Sequence, residues 1–162
     1  MSTEKTINSH EFDDLEAVLE GVGKDAEIVT NDKGGKQSKS PMALHLVDPG
    51  FLFAWVNKSG VNGDVNTLTA IQDIARFMWS DDKDFIGYAI SSIEEDKLQQ
   101  LIRIAKVLQY GADRYEANNW RLIPQESHIN HALMHLVAHL MGDTQDNHLG
   151  HALCRLMMAY AT

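Results

Sequence analysis

Residues His128 to Leu156 read HINHALMHLVAHLMGDTQDNHLGHALCRL. Six of the chain's eight histidines fall here, with Asp143 and Asp146 between them. On a helical wheel of about 100° per residue, His128, His131, His135 and His139 lie within about 80° of one another. Ile129, Leu133, Leu136 and Leu140 take the adjoining side. The pattern predicts a helix from about Gln125, just after Pro124, to about Met141. A second helix is predicted from about Asp146 to Ala161. In it His148, His151 and Arg155 share about 60° of the wheel, and Leu149, Leu153, Leu156 and Met157 cover another side. Gly142 suits the left-handed residue that ends a helix. Thr144 or Asp146 can cap the next one, and so short a loop forces an antiparallel pair. The two polar stripes then converge, with Asp143 and Asp146 at one end. A seam histidine is ordinarily a hydrogen-bonded spacer, and Asp146 can be a plain cap. Six imidazoles within 24 residues exceed what a seam needs.

Working outward, the same periodicity recurs. KLQQLIRIAKVLQYG carries Leu98, Leu101, Ile102, Ala105, Leu108 and Tyr110 as a buried stripe, with Ser92 and Glu95 as a capping box and Gly111 as the stop. Leu68, Ile71, Ile74, Ala75 and Met78 mark another helix. MALHLVDPGFLFAWVNKSG reads as a short buried segment followed by a helical turn. Near the start, SHEFDDLEAVLEGVG reads as a short acidic helix with Phe12, Leu15, Val18, Leu19 and Val22 on one side, Ser9 as its cap and Gly21 and Gly23 as its end. Strand alternation is hard to find. The expected fold is all-α, a helical bundle with a C-terminal antiparallel hairpin and long polar loops. Residues 1–29 form an acidic tail and short helix, and 30–162 form one domain. Thr30 to Pro41, TNDKGGKQSKSP, is a polar loop and the one strongly basic stretch. It reads either as a linker or as a phosphate-contacting loop, in which Gly34 and Gly35 permit close backbone approach and Lys33, Lys36 and Lys39 supply charge.

The totals bound the function. The chain has 162 residues, 44% of them hydrophobic, which suits one globular domain. A net charge of −9 disfavours DNA, RNA and anionic membrane surfaces as partners. A single cysteine, Cys154 in an apolar helical run, fits a reducing cytoplasm and reads as a small buried hydrophobe. No signal peptide and no run long enough to cross a bilayer is evident. The sequence lacks HExxH and CxxC. What remains is a carboxylate pair three residues apart with imidazoles nearby, which suits Mg²⁺ or Mn²⁺ and, through it, a di- or triphosphate.

Taken in order, GGKQSKSPMALHLVDP, VLQYGADRYEANNWR and the histidine hairpin resemble the phage dATP/dGTP diphosphohydrolase family, which is associated with MazG-type all-α nucleotide pyrophosphohydrolases. The family pattern is a Gly-Lys loop leading to Pro, then Tyr-Gly-x-x-(Lys/Arg)-Tyr and Asn-Trp, an Arg-His helix, an acidic turn and a His-x-x-His-Ala helix. The resemblance assigns Gly34, Gly35 and Lys36 to the loop and Tyr110, Gly111, Arg114, Tyr115, Asn119 and Trp120 to the second motif. It assigns His135 to the first helix, Asp143 and Asp146 to the turn, and His148 and His151 to the last helix. Met134 stands where the pattern has arginine, and residues 53–93 look like an insertion. The implied activity is a metal-dependent pyrophosphohydrolase, with purine dNTP as the favoured substrate. Asp143, Asp146 and His135 would hold Mg²⁺ or Mn²⁺, and His135, Asp143, Asp146 and His151 would be catalytic. Gly35, Lys36, Tyr110, Arg114, Tyr115, Asn119, Trp120, Arg121 and His148 would meet the substrate. A homo-oligomer in the host cytoplasm is expected. The alternative is a phage protein that sequesters a nucleotide without turning it over.

Overall fold

The structure is a computed structural model that describes residues 16–22, 26–58 and 64–162. Helices dominate. After a helical stretch at 16–20 come β1 (Ile28–Thr30) and β2 (Lys36–Ser38), a 3-10 turn (Leu44–Leu46), α1 (Pro49–Lys58), α2 (Val65–Ser80), α3 (Asp84–Ile93) and α4 (Lys97–Arg114). A second 3-10 turn (Asn119–Leu122), α5 (Gln125–Leu140) and α6 (His148–Ala161) complete the chain. The all-α bundle expected from the periodicity is what forms. Of the acidic N-terminal helix, residues 1–15 and Gly23, with the Ser9 cap, lie outside the described residues.

α5 is the central helix. From His128 to Leu136 every residue is buried, so it has no solvent face along that length. Its aliphatic side enters the main core, where Ile129, Leu133 and Leu136 meet Ile71, Ile74 and Phe77 of α2, Ile86 and Ile93 of α3, and Leu153 and Leu156 of α6. Residues 53–93 therefore supply much of the wall against which α5 packs. Met134 points the other way, into a smaller apolar cluster with Val18, Val22 and Ala138. Buried Asn130 accepts from the Leu44 amide at 2.8 Å and donates to the Met42 carbonyl at 2.9 Å. That fixes residues 42–44 on α5 and leaves the carboxamide satisfied.

The turn between α5 and α6 is decided by two residues. Gly142 adopts φ +89°, and the Asp143 amide reaches back to the Ala138 carbonyl at 3.1 Å, closing α5 as a Schellman motif. Asn147 then caps α6, its side chain accepting from the Gly150 amide at 3.1 Å. A Cβ at position 150 would sit 2.5 Å from the Asn147 carboxamide, so the cap needs glycine there. The cap is thus neither Thr144 nor Asp146, because the helix starts later than its periodicity suggests. The Asp146 carboxylate is released for other work.

Three further expectations are corrected. Thr30–Pro41 is not a featureless loop: β1 and β2 pair antiparallel, Thr30 opposite Lys36. Asn31 closes the turn by accepting from the Lys33 and Gly35 amides, with Gly34 at φ +85°. Ser92 and Glu95 do not form a capping box. Ser92 lies within α3 and donates to Asp73 at 3.3 Å, and Asp96 caps α4 by accepting from Leu98 and Gln99. α4 runs past Gly111 to Arg114, and its apolar stripe is largely exposed instead of buried.

Asn147→Ala is expected to cost about 1 kcal/mol of stability through the lost cap, while Thr144→Ala is near neutral. Urea unfolding of both variants checks this, and equal losses would contradict the cap assignment.

Candidate active site

α5 and α6 bring five of the nominated side chains together. His148 Nε2 donates to Asp143 Oδ2 at 2.5 Å, a contact that lies inside the protein. That bond fixes the proton on Nε2 and leaves Nδ1 of His148 as a lone pair. This Nδ1 faces Nδ1 of His135 at 3.1 Å. The His135 ring stacks on His151, centroids 5.0 Å apart and planes 14° apart. His151 Nε2 in turn lies 3.4 Å from Asp146 Oδ1.

Burial shapes the charges. Desolvation, aided by the neighbouring histidines and Arg155, holds the His135 imidazole well below its usual pKa, so it is neutral. Burial alone would raise the Asp146 carboxyl. The hydrogen bond and charge of His151, with the Asn147 amide, offset that and bring it below its ordinary value. Asp146 is therefore an anion close to the neutral His135 imidazole.

His135, Asp146 and His148 each offer one donor atom, all within 4.8 Å of one another. The cluster can hold a metal ion. Two nitrogens each about 2.1 Å from one ion stand about 3 Å apart, which is the separation seen between the two Nδ1 atoms. That gap is bridged either by a proton on His135 or by a cation taking both lone pairs. Asp143 belongs behind this set, orienting His148.

A cavity of about 630 Å³ opens beside the cluster, within the range of small-molecule sites. His135, His151 and Asp146 line one side, Lys36 and Gln37 of the hairpin another, and Tyr110, Arg114, Tyr115 and Trp120 a third. Asp143 and His148 instead face a second cavity of about 620 Å³ behind them, with Asp146 shared between the two. Gly35 packs against the protein: a Cβ there would meet the Leu122 carbonyl at 2.8 Å. Asn119 clamps the hairpin, accepting from the Lys36 amide at 3.0 Å and donating to its carbonyl at 2.6 Å. Arg121 stacks on the Trp120 ring at 4.3 Å, and Arg114 lies over Tyr110 and Tyr115. His139 stands apart, 3.8 Å from Asp64.

Arg155 is the site residue that motif reading passed over. It lines the cavity, and its Nη1 donates to Gln37 Oε1 at 3.1 Å and to His128 Nδ1 at 3.0 Å. Burial lowers its pKa to about 10, so it stays cationic at neutral pH. His128 therefore carries its proton on Nε2 and donates to the Trp120 carbonyl at 3.0 Å. Its position on the wheel beside His148 and His151 was the available signal. Cys154, next to it, is buried, and desolvation pushes its thiol up to about 12, as suits a packing residue and not a nucleophile.

Residues 90–162 match the family model described as dATP/dGTP diphosphohydrolase, N-terminal. Over that segment the chain is similar to this family. The match spans α4, the aromatic wall, α5 and α6, and so most of the site. It indicates a nucleotide hydrolase. No curated protein and no solved structure matches the chain. No helix among the described residues is long and apolar enough to cross a membrane.

Desolvation, with Arg155 adding to it, lowers His128 to about 3 and His131 to about 2, against an ordinary 6.5. Their unfolded forms protonate at about 6.5 and their folded forms far lower, so stability is full above that pH and falls below it. Each histidine is expected to remove about 1.4 kcal/mol per pH unit as pH drops from 6.5. Urea unfolding between pH 7.5 and 5.0 measures the slope. His131→Asn should flatten it, and an unchanged slope would show that His131 is not the group responsible.

Proposed function

We propose that the chain is a metal-dependent nucleoside triphosphate pyrophosphohydrolase that converts a purine dNTP to dNMP and pyrophosphate. The observation that carries this is one cavity bounded by cations, aromatic rings and two members of the donor set, His135 and Asp146, with His148 against His135 behind them. Lys36 and Arg155 meet the triphosphate, and arginine can do so in bidentate fashion. Arg155 supplies from α6 the cation that the family pattern places at position 134, where this chain has a buried methionine. Tyr115 and Trp120 stack on the base.

His135, Asp146 and His148 would hold the metal, and their mixed nitrogen and oxygen donors would favour Mn²⁺ over Mg²⁺, which prefers oxygen. Such an ion, when bound, neutralises phosphate charge and lowers the pKa of a water. The water oxygen bonds to Pα as the bond from Pα to the bridging oxygen breaks. His151, oriented by Asp146, accepts the water's proton, and pyrophosphate leaves carrying the electron pair. Asp143 fixes the tautomer of His148 and takes no direct part.

The test is to incubate the protein with each dNTP in Mn²⁺, Mg²⁺ or EDTA and to separate the products by ion exchange. Expected are a monophosphate and pyrophosphate, fastest with Mn²⁺ and absent with EDTA. Asp146→Asn abolishes turnover. Asp143→Asn lowers it by about 10- to 100-fold and is partly rescued by excess Mn²⁺, as for an outer partner of a metal ligand. Arg155→Gln raises KM by about tenfold or more, the loss of a charged hydrogen bond. Unaltered nucleotide that stays with the protein through desalting would replace this reading with sequestration.

A further inference from the structure

Among the described residues, two carboxylates line the cavity beside the donor cluster. One is Asp146, which belongs to that cluster, and the other is Glu116. Glu116 stands in the turn that carries Tyr115 and Trp120, on the aromatic side of the cavity. A triphosphate repels a carboxylate, so this side chain suits the other end of a nucleotide. Arg121 stacks on Trp120 and does not line the cavity, which leaves the opposite face of the ring for a base. Asn118 lines the same wall at φ +65°, a conformation that asparagine tolerates. Neither the Glu116 carboxylate nor the Asn118 carboxamide has a hydrogen-bond partner among the described residues. Asn119, between them and Trp120, uses both ends of its carboxamide on the Lys36 backbone.

We propose that Glu116 reads the Watson–Crick edge of the base and selects guanine over adenine, with Asn118 completing the contact; this choice of base rests on the nucleotide reading above. A carboxylate offers two acceptor oxygens and no donor. It is matched by two neighbouring donors, which guanine supplies in N1–H and the 2-amino group. Adenine sets the lone pair of N1 beside its amino group, and cytosine does the same with N3. Thymine has one N–H between two carbonyls. Each of these three bases turns a lone pair toward one carboxylate oxygen. The Asn118 amide donates to guanine O6, and it can turn its oxygen to the adenine amino group instead, so the discrimination rests on Glu116. Reading an edge by hydrogen bonds while a ring stacks on the base is how pockets hold an unpaired nucleobase. One hydrogen bond to a charged group separates the two purines by about tenfold or more.

Equilibrium binding of the non-hydrolysable α,β-imido analogues of dGTP, dATP and dITP to the full chain with Mn²⁺ tests this. The guanine analogue is expected to bind about tenfold or more tightly than the adenine one. Hypoxanthine keeps N1–H but lacks the 2-amino group, so its analogue falls between them. Glu116→Gln is expected to erase the guanine preference. Glu116 is exposed, so the helical circular dichroism stays as in the wild type. Asn118→Asp keeps a residue that tolerates positive φ but sets a carboxylate against O6, and it weakens the guanine analogue more than the adenine one. Equal binding of the guanine and adenine analogues overturns the role of Glu116 and leaves the nucleotide reading standing. A guanine preference that survives in Glu116→Gln does the same. A chain that binds none of the three analogues loses both.

Discussion

Every imidazole on the inner face of α5 must be satisfied inside the protein. A buried polar group without a partner costs several kcal/mol, and α5 buries His128, His131 and His135 together. Each finds a different answer. His128 is held between Arg155 and the Trp120 carbonyl. His131 meets the Ser40 hydroxyl at 2.8 Å. His135 faces His148, which leans on Asp143. These three solutions fix, in turn, the aromatic wall, the segment that follows the hairpin, and the approach of α6. The site is a consequence of how the central helix pays for its polar face.

That requirement also gives the histidines different surroundings. His128 and His131 are neutral, buried and far below their usual pKa, although His131 also touches the cavity. His135 and His151 line the cavity, and His151 is paired with an anionic carboxylate. The six histidines of the hairpin are therefore not equivalent. Two are held by the walls, His135, His148 and His151 lie together beside Asp143 and Asp146, and His139 sits apart near Asp64.

Much of this was legible in the sequence. The 3.6-residue spacing placed α5, α6 and α2, and the wheel put the two polar stripes face to face. What was hidden has physical causes. Apolar spacing in α4 marks a face, not whether the rest of the chain covers it. Asn147 and Asp146 are adjacent and both can cap, so only the start of α6 decides which is free. Two strands of three residues are too short for alternation to register, and the side-chain bonds of Asn31 hold them. Lys36 reaches the cavity through the clamp of Asn119, 83 residues away. Arg155 gave no motif signal, because a lone arginine in an apolar helix resembles a solvent-facing residue until Gln37 and His128 are seen around it.

The central claim is that a water attacks Pα of a purine dNTP in the α5–α6 cavity. Turnover of dGTP in ¹⁸O-labelled water with Mn²⁺, read by mass spectrometry, tests it most directly. The account predicts one ¹⁸O in dGMP and unlabelled pyrophosphate. Label in the pyrophosphate, release of inorganic phosphate, or intact dGTP would contradict it.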